Sequence, residues 1–148
     1  MTLHHLVLII HLLSATVWVG GHLFLMICIL PTALKEKNPA LILNFEKKFE
    51  KLGMSSLVLL ILTGIWMAID FGVTFESWFH FKAGFEKVIS IKLLLLFATF
   101  CCAVCAQFYI LPNLRPNSIW KMAIVIVTVT MIGITMLILG STLRYGGI

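Results

Sequence analysis

Charge is scarce in this chain. Of 148 residues only 11% are Asp, Glu, Lys or Arg, and only six of these are acidic. No carboxylate pair falls inside an apolar stretch, and there is neither a Walker loop nor a nucleophile–base pair. An independent hydrolase and an ATP-driven pump are excluded on that ground. Cysteine is missing from the connecting segments, since Cys28, Cys101, Cys102 and Cys105 all lie in apolar sequence. A disulfide framework is therefore excluded too. Low-complexity tracts and recognisable internal repeats are also lacking.

What the chain has is hydrophobic sequence: 61% of residues, with a mean hydropathy of +1.08. Those values lie far outside the range of a soluble domain. Four uncharged apolar spans stand out, at Leu6–Leu30, Leu52–Ile69, Leu93–Leu111 and Met122–Leu143. Crossing a bilayer takes ~20 apolar residues at ~1.5 Å rise each. The first span is too long for a signal-peptide core and lacks a basic leader and a small-residue cleavage site, so it is expected to be retained. Short connections predict an all-α integral membrane four-helix bundle, up-down-up-down, formed by residues 1–148 as one transmembrane domain.

Basic residues set the expected orientation. The 31–51 and 112–121 connections carry Lys35, Lys37, Lys47, Lys48, Lys51, Arg115 and Lys121. The opposite side has Lys82, Lys87, Lys92 and Arg144. The positive-inside bias then places both termini on the external, periplasmic side of a bacterial inner (cytoplasmic) membrane. The net charge of +5 is divided between two faces, which suits a lipid surface and not a nucleic acid.

The connections differ in kind. Asn38-Pro39 reads as a helix start, with Leu41, Phe45, Phe49 and Leu52 on one side. That segment is expected to lie along the membrane surface before entering the second span. The connection from Asp70 to Lys87 carries Phe71, Phe75, Trp78, Phe79, Phe81 and Phe85, either an interfacial aromatic belt or a lid over the bundle mouth. Pro112 and Pro116 punctuate a tight turn.

Two histidines at membrane depth, His11 and His22, are the most informative residues, because a titratable ring there is costly. Eleven residues at ~100° each return the second ring to within ~20° of the first, roughly 16 Å along the axis. His4 and Trp18 fall on the same stripe, and Gly20-Gly21 allows a partner helix or a flat cofactor to come close. Depth matching brings Met67 and Met136 level with His11, and Cys101 and Cys105 level with His22. These are candidate additional ligands, since thiolate and thioether suit Cu(I). The blander alternatives are a His11 ring bonded to a backbone carbonyl, Ser14 or Thr63, cysteines acting as small hydrophobes, and methionines filling gaps. His4, with His5 and His80, forms either an external collecting site for a transition metal or a set of interfacial rings.

The run His11-Leu-Leu-Ser-Ala-Thr-Val-Trp18-Val-Gly20-Gly21-His22-Leu-Phe resembles the first helix of short, four-helix members of the copper resistance protein D (CopD) family. Further similar stretches are Phe45-Glu46-Lys47-Lys48-Phe49-Glu50-Lys51-Leu52-Gly53, Leu62-Thr63-Gly64, Lys92-Leu93 and the closing Leu143-Arg144-Tyr145-Gly146-Gly147. The resemblance implies an inner-membrane protein of copper homeostasis, in transfer or import. Together with the histidine stripe it leads to the expectation of a buried, redox-active metal centre organised by His11 and His22, with His11 and the outer histidines receiving the ion. Where similar proteins often carry a His and an Arg late in the third span, this chain has Cys105 and Gln107. Cys105 is then a candidate substitute ligand.

A second reading is a haem b membrane protein for electron transfer, with a quinone or a periplasmic electron donor. The first helix also shows distant similarity to the HemJ-type protoporphyrinogen oxidases, which use haem b. Lys92 and Arg144, near the level of His11, suit haem propionates, whereas beside Cu⁺ each would cost a few kcal/mol at ~4 Å and an effective dielectric of ~20. Spans two to four hold no histidine, so a bis-histidine pair is lacking. A third reading is a structural subunit of a larger membrane complex, or of a homo-oligomer, with purely structural histidines.

Overall fold

In a computed structural model of the chain, which describes residues 2–72 and 84–143, the described residues form four long helices and no strand. Helix α1 spans Leu3–Lys35, α2 Pro39–Asp70 and α4 Ile119–Thr142. Helix α3 begins as Phe85–Cys105 and continues through wider and tighter turns to Asn113. All four are long and apolar enough to cross a membrane.

The helix ends follow local chemistry. Asn38 caps α2 by accepting from the Ala40 amide at 3.1 Å, and Pro39 fills the first helical position, where no N–H is needed. At the end of α1, Lys37 adopts φ 51° and the Asn38 amide reaches back to the Ala33 carbonyl at 3.0 Å. This is the left-handed cap that glycine usually supplies. Both α1 and α3 widen into a single π turn, at Leu25–Ile29 and Ala106–Ile110. Each is followed by a Leu-Pro pair, Leu30-Pro31 and Leu111-Pro112. A proline lacks its own N–H and its ring pushes away the carbonyl four residues back, so the turn before it opens to i→i−5 pairing.

The segment after Pro39 departs from expectation. It does not form a separate surface helix; α2 runs unbroken from Pro39 to Asp70. Its inner stripe is Ile42, Phe45, Phe49, Gly53 and Ser56, while Leu52 is 55% exposed. Ile42 is fully buried with Leu25, Leu30 and Ala33 of α1 and with Ile119, Met122 and Ile126 of α4. That packing holds the segment upright, because lying flat would uncover the whole cluster. The apolar spans also fall short of the helices at both ends of α1 and at the start of α2 and α3, since polar end turns continue the same helices.

Helix α1 packs most extensively along α2, α3 pairs with α4, and α1 meets α4. An apolar groove of about 270 Å³ separates α2 from α3, lined by Leu57 and Ile61 on one side and Leu93, Leu96 and Phe97 on the other. The aromatic connection lies largely outside the described residues, as do His80 and Arg144.

Replacing Lys37 by Gly relieves the left-handed strain. It should raise the stability of the detergent-solubilised protein by about 1 kcal/mol, read as a higher melting temperature by circular dichroism. Lys37→Val should lower it.

Candidate metal site on the first helix

Helix α1 presents a polar stripe to its neighbours at three levels. At one end the His4 Nδ1 lies 2.6 Å from Asp70 Oδ2, and the ring sits against Trp66 and edge-on to Phe71. This pair ties the first turn of α1 to the last of α2. It is the one contact between a basic side chain and a carboxylate among the described residues.

At the second level His11 Nδ1 is 2.7 Å from the Thr63 hydroxyl. Thr63 Oγ1 in turn lies 2.5 Å from the Leu59 carbonyl, one turn back in its own helix. A hydroxyl has a single hydrogen, and the carbonyl takes it. The ring therefore donates through Nδ1–H, and its lone pair sits on Nε2. No hydrogen bond reaches Nε2 among the described residues. Gly64 lets the ring lie flat on α2, since a Cβ there would stand 3.5 Å from His11 Cε1.

At the third level the His22 Nδ1–H donates to the Trp18 carbonyl at 2.8 Å. This tautomer again leaves the lone pair on Nε2. The ring lies tilted at 45° against Trp18, with centroids 4.6 Å apart, and meets Phe49 edge-on at 6.2 Å. Phe49 lies on Gly21, where a Cβ would stand 2.1 Å from the ring. Phe45 and Phe24 continue the stack. Gly20 has nothing within 4 Å, so of the glycine pair only Gly21 serves close approach.

Two readings weighed for these rings thus coexist. His11 is bonded to Thr63 and His22 to a carbonyl of its own helix, yet among the described residues each leaves Nε2 without a hydrogen bond. Hydrogen bonding through the second ring nitrogen is also what orients a metal-binding histidine and raises its basicity.

The other candidates are placed differently. Contacts between α1 and α2 set His11 opposite Thr63 and Gly64, so Met67 lies about one turn beyond it. Gly133 of α4 sits against Trp18 and Val19, which puts Met136 about one turn short of His11. Both methionines are half-buried. Cys101 and Cys105 are exposed on the outer face of α3, beside Phe97, Phe100 and Tyr109. The inward thiol is Cys102, packed against the Trp18–Val19–Val129 cluster. Residues four apart share a face, so spacing alone paired Cys101 with Cys105 correctly but left that face's direction open. Among the described residues no group of three or more His, Cys, Asp or Glu gathers around one point.

Lys92 is the described member of the candidate pair for propionates or other anions. Its Nζ lies 3.2 Å from where a Cβ on Gly140 would stand, inside the bundle on the α4 side. Of the partners weighed for His11, Thr63 is the one the structure selects. Gly64 and Phe49, both on α2, take roles that spacing did not assign: Gly64 seats the His11 ring and Phe49 fills the gap at Gly21.

The family model for copper resistance protein D matches residues 43–143, about two thirds of the chain. The chain belongs to this family. It is accordingly a multi-pass membrane protein of a copper-resistance family. Comparison with curated proteins and with solved structures returns no significant match. The matched stretch covers α2 beyond its first turn, α3 and α4, so His11 and His22 lie outside it. The match adds nothing to the HemJ resemblance or to haem b.

Gly21→Ala should overlap Phe49 and lower stability by about 1–3 kcal/mol, measured by thermal unfolding in detergent. Gly20→Ala should leave the melting temperature unchanged. Shortening Phe49 to Leu in the Gly21→Ala background should restore most of the loss, and no restoration would place the cost elsewhere.

Proposed function

We propose that this CopD-family protein binds copper within the membrane through Nε2 of His11 and Nε2 of His22, and passes the ion along α1 in copper transfer or import. The observation that supports this most is the shared tautomer: both rings use Nδ1 as donor, and both keep Nε2 unbonded among the described residues. Copper is the cargo and the two imidazoles are successive ligands. His4 sits beyond them at the Asp70 end with its Nδ1 on Asp70, and its own Nε2 serves as the receiving atom. With the termini external, the path runs from the periplasmic face inward, and a periplasmic metal donor delivers the ion.

The supporting shell follows from the same geometry. Thr63 fixes the His11 tautomer, Trp18 and Phe49 fix the His22 ring plane, and both operate in an environment with little water to compete for the ion. Cys102, half-buried near the His22 level, is a soft third ligand within the same bundle core. Cys101 and Cys105, on the outer face, are not part of this path.

The test is copper content and X-ray absorption of the purified full-length protein. Stoichiometric copper with nitrogen neighbours is expected, falling in His11→Ala and again in His22→Ala. Thr63→Val should weaken copper binding roughly 10-fold while keeping the helical content, because it removes the acceptor that holds the ring. Copper retained unchanged by both histidine variants overturns the assignment. A Soret band with split visible bands after reduction would replace copper by haem b.

A further inference from the structure

The charge balance around His11 carries an inference that rests on the copper reading and goes further. Helices α1 and α4 are antiparallel, and Gly133 lies against Trp18 and Val19. Seven residues along each helix, ~10.5 Å and two turns, lead from that contact to His11 on α1 and Gly140 on α4. The same step returns each residue to within ~20° of its starting face. Lys92 Nζ stands beside Gly140, so its ammonium occupies the His11 level of the bundle interior.

No carboxylate neutralises it among the described residues. Asp70 is engaged by His4, and no ion pair reaches Lys92. Glu86, six residues earlier on α3, has a buried Oε2 without a hydrogen-bond partner and makes no pair with Lys92. A copper ion held by neutral imidazole next to an unpaired ammonium leaves like charges facing each other in a medium of low dielectric. Unless Lys92 sheds its proton, either the ion is excluded or an anion accompanies it.

We infer that Lys92 and His11 together form a site for copper with a small anionic co-ligand, of which chloride is the simplest. The anion sits between the Lys92 ammonium and the metal on His11 Nε2, so that each positive charge faces a negative one. Gly140 makes room for the lysine head group, and a side chain there would displace it.

The anion half of the site is testable without copper. The 35Cl linewidth of chloride with copper-free, full-length protein in detergent should be broader for wild type than for Lys92→Met or Lys92→Gln. Lys92→Arg should keep the broadening. Helical circular dichroism identifies variants that remain folded, and the pair of neutral replacements guards against one of them misfolding. With Cu(I) bound in bromide buffer, a bromide neighbour should appear in the copper X-ray absorption of wild type and vanish in Lys92→Met. Copper affinity in chloride should fall roughly tenfold in that variant, the worth of one charge-assisted contact. Equal 35Cl broadening in wild type and in both neutral variants overturns the site. If chloride binding depends on Lys92 yet no copper is retained, the anion site stands and the copper reading fails. If copper is held by His11 and His22 without any chloride difference, the reverse holds.

Discussion

A polar group inside an apolar helix cluster has no bulk water to bond, and this one constraint organises the interior. Many hydroxyls within the helices donate to a carbonyl one turn back: Thr16 to Leu12, Thr63 to Leu59, Ser90 to Glu86, Thr99 to Leu95 and Thr130 to Ile126. The histidines obey the same requirement. His22 borrows the Trp18 carbonyl, and His11 reaches across to Thr63 on α2. Because a threonine hydroxyl already committed to Leu59 can only accept from the ring, the constraint also decides the tautomer. The chemistry available at Nε2 is a by-product of satisfying Nδ1.

Glycine and aromatic rings supply the second organising feature. Without an effective hydrophobic drive between helices in lipid, close approach depends on small residues. Gly21 accepts the face of Phe49, Gly64 the His11 ring, Gly133 the Trp18 and Val19 side chains, and Gly140 the end of Lys92. Each glycine on this list seats a group from a different helix, and three of the four lie at or beside a histidine level. The same contacts that assemble the bundle therefore position the candidate ligands. The two proline-opened turns near the other end of the bundle serve packing there: Leu25 and Ala106, at the start of each π turn, both belong to the buried cluster around Ile42.

The described structure leaves Lys92 as the main electrostatic anomaly. It sits at the level of a metal-binding candidate without a carboxylate, in a chain with few acidic residues anywhere. A cation in that position favours negatively charged company, and it sets the sign of whatever enters beside His11. Under the copper reading, an anion between the metal and the Lys92 ammonium is the arrangement that offsets both charges.

Much of the architecture was legible in the amino acids alone. Length, hydropathy and the lack of charge determined four spanning helices, and Asn38-Pro39 determined where the second begins, because caps and burial are local properties. The alignment of His11 and His22 on one face of α1 follows from helical periodicity. Tertiary structure decided the rest. It turned Cys101 and Cys105 outward and Cys102 inward, shifted Met67 and Met136 about a turn from His11, stood the 39–51 segment upright, and gave His11 its partner in Thr63. Spacing within a helix fixes which residues share a face, but which way that face points, and at what height it meets its neighbours, depends on packing between helices.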